Sequence, residues 1–273
     1  MPGNGDEEGV PPQELAAAGD EAPAPPLPAP QWVPIRAHTF VQKWGSASDP
    51  AALLCDDGSV YVVKARHNGR PDISRMMIAD HVVGRIGQLL GAPVPEVAFV
   101  DVPAALVAAQ PEIAAFLPGV GHGSKYVPNT TEREQISHVN EPVNRDRFAR
   151  LAVLFGWAHG ADHQFIYEKV APPRVYSHDH GHFFPGGPGW TGASLAQHNA
   201  NVDNSIVNGC NLTPAEIAHA IARLNQVDPA DLEGVVAGVP GEWDITPDER
   251  TAMVGFLTMR RLALIAQYPV VQH

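Results

Sequence analysis

Between Gln31 and Val102 the apolar positions fall in short runs separated by turn residues. IRAHTFVQKW, AALLC and SVYVVKAR read as strands, with GSASDP and Asp57-Gly58 as the turns between them. Asp-Gly between alternating runs is a strong hairpin signal, because a tight hairpin turn needs positive φ at its centre. A longer period then sets in. Met76, Ala79, Val83, Ile86 and Leu90 recur at helical spacing, Gly91 caps the stripe, and Pro93 and Pro95 stop it. VAFVDVP returns to a strand and AALVAAQPEIAAFL to a helix. The glycine-rich GVGHGSKYVPNTT, with Lys125, reads as a loop at the front of a cleft.

The segment from Arg145 to Phe184 carries the most information. Phe148, Leu151, Leu154, Phe155 and Ala158 make a buried helical face, and Gly160 is read as the left-handed residue that ends it. Asp162 follows at once. FIYEKV and RVYS are β-rich runs joined by APPR, whose prolines turn the chain, and the second run leads to Asp179-His180-Gly181. A hairpin returns its end to its beginning, so Asp162 and Asp179 are expected to face one space. Two carboxylates so placed suit a divalent cation and a phosphate, one holding the metal while the other orients an attacking hydroxyl. Beyond this segment the pattern is helical. Thr213-Pro214 and Thr246-Pro247, each with a Glu three residues after the Thr, read as capping-box starts, and the stripes that follow read as core.

Composition narrows the function classes. Against 30 acidic residues stand 18 Lys and Arg, a net charge of −12, which argues against broad nucleic-acid binding. Six of those acids lie in a Pro- and Ala-rich segment, residues 1–30, that lacks the apolar side chains to offset its ordering entropy and reads as a disordered tail. Residues 31–103 then read as a sheet-rich first lobe and 104–273 as a helical second lobe. With Cys55 and Cys210 the only cysteines, no disulfide framework is implied, and a reducing cytoplasm fits. No apolar run is long enough to span a membrane, and no signal peptide is evident.

Two features of the first lobe bear on chemistry. Lys64 closes the run VYVVK, where a lysine reaches a nucleotide's phosphates as a point charge or faces water from a sheet edge. Asp80, on the flank of the helical stripe, either pairs with Lys64 and aims it or is a solvated helix acid. The turn Gly45-Ser46-Ala47-Ser48 has the composition of a phosphate-wrapping loop but no full GxGxxG or Walker pattern, and ordinary turns share that composition.

Taken in order, the hairpin ending at Lys64, the helix with Asp80, LLGAPVPEV, GHGSKY, WAHGADHQF with Asp162 and SHDHGHFF with Asp179 resemble the compact HipA-like kinase family. The resemblance runs from about Arg36 to the end of the chain. It implies an α+β, two-lobed protein-kinase-like fold with ATP and Mg²⁺ in the cleft. Lys64 would hold the phosphates, Asp80 would stand for the Glu that usually pairs with that lysine, and Asp162 would orient the acceptor hydroxyl. Asp179 would ligate magnesium. A protein Ser or Thr acceptor is implied, and an antitoxin-like partner is left open. Two departures stand out. Tyr167 occupies the position where the family has a metal-binding Asn, with Gln164 or His163 as substitutes. Asp80 is also one methylene shorter than Glu. Both leave a nucleotide-binding pseudokinase or interaction module as an alternative. A metal-dependent hydrolase built on His178, Asp179, His180 and His182 is a lesser one, weakened by the turn expected at Gly181 and by the lack of an HExxH pattern.

Overall fold

The computed structural model describes residues 33–133, 135–197, 202 and 204–268; the tail read at 1–30 lies outside them. The fold is α+β and two-lobed. In the first lobe, β1 (Ile35–Lys43), β2 (Ala51–Cys55), β3 (Val60–Lys64), β4 (Val97–Val102) and β5 (Gly119–Lys125) close into a barrel in the order β1-β2-β3-β5-β4. Antiparallel pairing runs round the barrel until β1 meets β4 in parallel and closes it. The Asp57-Gly58 turn is present, with Gly58 at φ 76°.

Between β3 and β4 runs α1 (Pro71–Leu90), ended by Gly91 in the left-handed region. The stripe read from sequence is buried, and so are Ser74, Asp80 and His81 on its other sides. Placed against β4, β5 and the long helix α3 (Pro142–Ala158), α1 is packed on most of its circumference. A short α2 (Ala104–Ala109) leads to β5.

The stretch 119–131, expected as a loop, is instead β5 and the beginning of β6 (Thr130–Arg133), so the first sheet runs past the boundary read at residue 103. The glycines that disguise β5 serve close packing. A Cβ on Gly121 would lie 2.7 Å from the Lys64 carbonyl oxygen, and one on Gly123 would lie 2.5 Å from Val100 Cγ2. Glycine inside a strand marks such an approach.

The second lobe gathers α3, α6 (Pro214–Gln226), α7 (Pro229–Ala237) and α8 (Pro247–Gln267), with short α4 (Gly192–Ala196) and α5 (Ser205–Gly209). Both capping boxes form, at Thr213 with Glu216 and at Thr246 with Glu249. β6 joins β7 (Phe165–Glu168) and β8 (Val175–Ser177) in a small antiparallel sheet. Among the described residues no helix is long and apolar enough to cross a membrane.

α3 ends differently from the sequence reading. His159, at φ 57°, is the left-handed residue, and its neighbour Gly160 is small because a Cβ there would lie 2.5 Å from the Phe155 ring and 2.9 Å from that of Phe183. The steric demand on β5 gives a direct test. Gly121→Ala is expected to lower stability by about 1–3 kcal/mol, since the obstructing atom is backbone and cannot swing aside. A urea midpoint unchanged from wild type would refute this account of β5.

Candidate active site

β3 delivers Lys64 to the end of the sheet, and α1 carries Asp80 beneath it. The Lys64 ammonium donates to Asp80 Oδ2 at 2.7 Å and to Asp179 Oδ1 at 2.6 Å. The shorter Asp at position 80 therefore does reach the lysine, contrary to what its length suggests, because α1 lies close against the sheet. Lys64 and Asp80 are almost wholly buried, while the Asp179 side chain keeps a quarter of its surface exposed (25%). Asp80 also accepts the backbone N–H of His180, tying α1 to the loop after β8. Gly181 permits that contact: a Cβ there would lie 2.9 Å from Met76 Cβ and 3.2 Å from Asp80 Oδ2.

The electrostatics follow from this geometry. Burial opposes the charge on Lys64, yet two adjacent carboxylates hold its pKa above the ordinary value. Burial raises Asp80 to about 6, opposed by Lys64 and reinforced by Asp179. Burial also acts to raise Asp179, but the Lys64 charge and hydrogen bond prevail and bring it to about 2.

The hairpin does bring its two flanking loops to one end. Phe165 pairs with Ser177, and the His178 N–H donates to the Gln164 carbonyl at 3.2 Å. His178 lies within electrostatic reach of both Asp162 and Asp179. Gln164 Nε2 donates to Asp162 Oδ2 at 2.9 Å, which fixes one oxygen of that carboxylate and leaves the amide oxygen of Gln164 as a donor atom for a cation. Tyr167 does not share this space. Three residues into β7, it is buried, and its hydroxyl accepts the Ser137 N–H at 3.0 Å. His163 packs edge-on to Phe155 and reaches Ser205.

Gly45, Ser46 and Ser48 lie in the turn between β1 and β2. Because Ala51 pairs with Val63, this turn stands at the end of the sheet from which Lys64 emerges. It is braced by Lys43 on Asp49 at 2.8 Å and by Arg70 on the Ala47 carbonyl at 3.1 Å; Gly45 and Ser46 are exposed, and Ser48 is buried. The histidines of SHDHGH have local work. His180 Nε2 meets Ser177 Oγ at 2.9 Å, and His178 Nε2 lies 3.8 Å from Glu132 Oε1. Among the described residues no three His, Cys, Asp or Glu side chains converge to hold a metal ion. Asp162, Asp179 and Gln164 offer hard oxygen donors in small number, which fits a cation that keeps waters and shares a substrate's phosphate oxygens better than a transition metal in a histidine cage.

His122, opposite Lys64 on β5, escaped the sequence reading because the glycines around it hid the strand. It is buried against the same group of charges, and burial and then the Lys64 charge push its pKa well down, so it remains neutral.

Comparison with known proteins shows a protein-kinase-like fold. A family model for the HipA-like kinases matches residues 43–165. The matched stretch includes Lys64, Asp80, Asp162 and Gln164; Asp179 lies beyond it. Among solved structures, the Helicobacter pylori proinflammatory kinase CtkA is similar with a TM-score of 0.54 at 10% identity, covering 85% of this chain and 96% of that one. Hydra Fam20 with sugar is similar at 0.47 and 11% identity, covering 87% of each chain. The Golgi casein kinase with Mn/ADP bound is similar at 0.44 and 11%, covering 87% of this chain and 73% of that one. No curated protein matches.

Replacing Lys64 tests the charge arrangement. Lys64→Met leaves the buried Asp80 and the part-exposed Asp179 carboxylates without their cation, a change expected to cost about 3–5 kcal/mol at pH 7.5. Without the ammonium, both folded pKa values rise above the unfolded value of about 4. A raised carboxylate favours the fold most at low pH and loses that contribution as pH rises. The deficit against wild type should therefore shrink between pH 7.5 and pH 5; urea titrations showing a constant or growing deficit would contradict the arrangement.

Proposed function

We propose that the protein is an ATP-dependent kinase that transfers the γ-phosphate to a hydroxyl, with a protein Ser or Thr as acceptor. The observation that carries this reading is the buried Lys64 ammonium shared by Asp80 and Asp179 at the end of a half-open sheet face. A buried lysine aimed by one carboxylate and touching a second, part-exposed one is placed to receive phosphate oxygens when a cation takes Asp179.

In this reading Asp80 keeps Lys64 pointed into the cleft, and the turn with Gly45, Ser46 and Ser48 lies over the phosphates. Asp179 and the amide oxygen of Gln164 would hold Mg²⁺, which when bound neutralises phosphate charge. Asp162, fixed by Gln164, orients the acceptor hydroxyl and takes its proton as the bond from the γ-phosphorus to that oxygen forms and the bond to the ADP oxygen breaks. The rate gain comes from positioning and charge, so few residues suffice. Two buried free thiols, Cys55 and Cys210, are in keeping with a reducing compartment.

One observation favours a second reading, a nucleotide-binding protein without turnover. Tyr167, at the position where the resemblance expects a metal-binding Asn, is committed to the Ser137 amide.

Calorimetry and phosphate transfer separate the two. Mg²⁺-dependent ATP binding is expected in wild type and in Asp162→Asn, and its loss in Asp179→Asn. Transfer to a hydroxyl acceptor, or slow ATP hydrolysis, should fall by about 10²–10⁴ in Asp162→Asn. Binding without any turnover in wild type would select the second reading, and no ATP binding at all would dismiss both.

A further inference from the structure

Residues 240–249, which run from the end of α7 into the first turn of α8, reach out of the second lobe and grip the first at two elements. The first grip is on β5. β3 ends at Lys64, opposite His122, so Val120 two residues away has no strand on that side to pair with. Side chains of the second lobe take the strand's place. The Glu242 carboxylate accepts the Val120 N–H at 3.1 Å, and the Trp243 indole N–H donates to the Val120 carbonyl at 2.7 Å. Both backbone groups of Val120 thus find the partners that such groups require when water is excluded. Arg66, two residues past Lys64, lies 3.8 Å from the same Glu242 carboxylate.

The second grip is on α1. Glu249 Oε1 meets Arg75 at 2.7 Å, while its other oxygen caps α8 through Thr246, so this carboxylate is held from both sides. Trp190, in the stretch after the Asp179 loop, donates its indole N–H to the Arg75 carbonyl at 3.1 Å and carries the Arg75 guanidinium over its ring at 4.5 Å. Between the two grips Trp243 is fully buried, edge-on to His81 of α1 at 5.8 Å and to Phe99 of β4 at 5.5 Å. His81 stacks on Phe99 at 4.1 Å and meets His122 edge-on at 5.7 Å. A column of rings therefore leads from Trp243 to the residue opposite Lys64 and to the neighbour of Asp80.

We propose that residues 240–249 form a brace between the lobes, with Glu242 and Trp243 as positioning residues that keep Lys64 and Asp80 in their working arrangement before any ligand arrives. Lobes that touch through a small interface move against each other by default. Here one continuous stretch holds a barrel strand and a helix together, and a lobe held at two elements cannot rock about either. The cleft is consequently preassembled, and nucleotide enters without closure of the lobes. The effect on nucleotide affinity rests on the nucleotide reading of the Lys64 site; the hold on the lobes does not.

The test pairs a distance with an affinity. Nitroxides at Val41→Cys on β1 and Leu262→Cys on α8, both exposed positions, report the separation of the lobes by pulsed electron resonance, and the native thiols are buried. With the brace intact, one narrow distribution is expected without nucleotide, and Mg-ATP should leave it in place. Glu242→Ala and Trp243→Phe, each checked by thermal unfolding, should broaden it. Mg-ATP affinity should fall in both by about 5- to 30-fold, as the share of molecules with the pair in place drops. Glu242→Gln keeps an oxygen for the Val120 N–H and should restore both readouts, which a general loss of stability would not predict. A distribution that stays narrow in Glu242→Ala and Trp243→Phe overturns the brace, as does a wild-type separation that shifts when Mg-ATP is added. Broadening with unchanged affinity overturns the positioning role. If Mg-ATP fails to bind wild type, the nucleotide reading falls and the positioning role with it, while the distributions without nucleotide still decide the brace.

Discussion

One ammonium group between two carboxylates organises this protein. Lys64 is nearly inaccessible to water, and a buried charge in that position is tolerated only because Asp80 and Asp179 lie within hydrogen-bonding distance. Each partner belongs to a different element. The lysine ends a barrel strand, Asp80 rides α1, and Asp179 sits in the loop after the small sheet. The interaction therefore sets where barrel, helix and second lobe stand against one another. Gly181 serves the same end, since a Cβ there would lie 2.9 Å from Met76 Cβ on α1.

Asp179 divides its role from Asp80 through exposure. Asp80 is sealed in, has its pKa raised, and accepts both the lysine and the His180 amide, so it acts as an internal strut. Asp179, at φ 53°, keeps part of its carboxylate toward solvent and is held ionised by the same lysine. One cation thus produces two carboxylates of different character, one structural and one accessible to an incoming ion.

Much of this was legible before any coordinates. Strand alternation, the Asp-Gly turn, the α1 stripe and the capping boxes are local signals, and they resolve into elements where local physics decides the outcome. The hairpin between Asp162 and Asp179 was legible for the same reason. What was not legible depended on neighbours distant in sequence. β5 reads as a loop because its glycines answer to the Lys64 carbonyl and Val100 across the barrel, and strand propensity says nothing of that. Gly160 reads as a helix cap, yet its size answers to the Phe155 and Phe183 rings while His159 takes the strained φ. The reach of Asp80 likewise depends on how near α1 lies to the sheet.

The burial of α1 has a mechanical consequence. Fourteen of its twenty residues are enclosed, including Ile78, Val82 and Ile86 on the side of the core and Asp80 and His81 on the side of the barrel. A rod gripped on most of its circumference cannot pivot without opening voids along its length, and protein interiors resist voids strongly. The Lys64–Asp80 pair is in this respect a fixture rather than a gate. The turn from Trp44 to Pro50 lies outside that grip, tied to its surroundings by Lys43 on Asp49 and by Arg70 on the Ala47 carbonyl rather than by packing against α1.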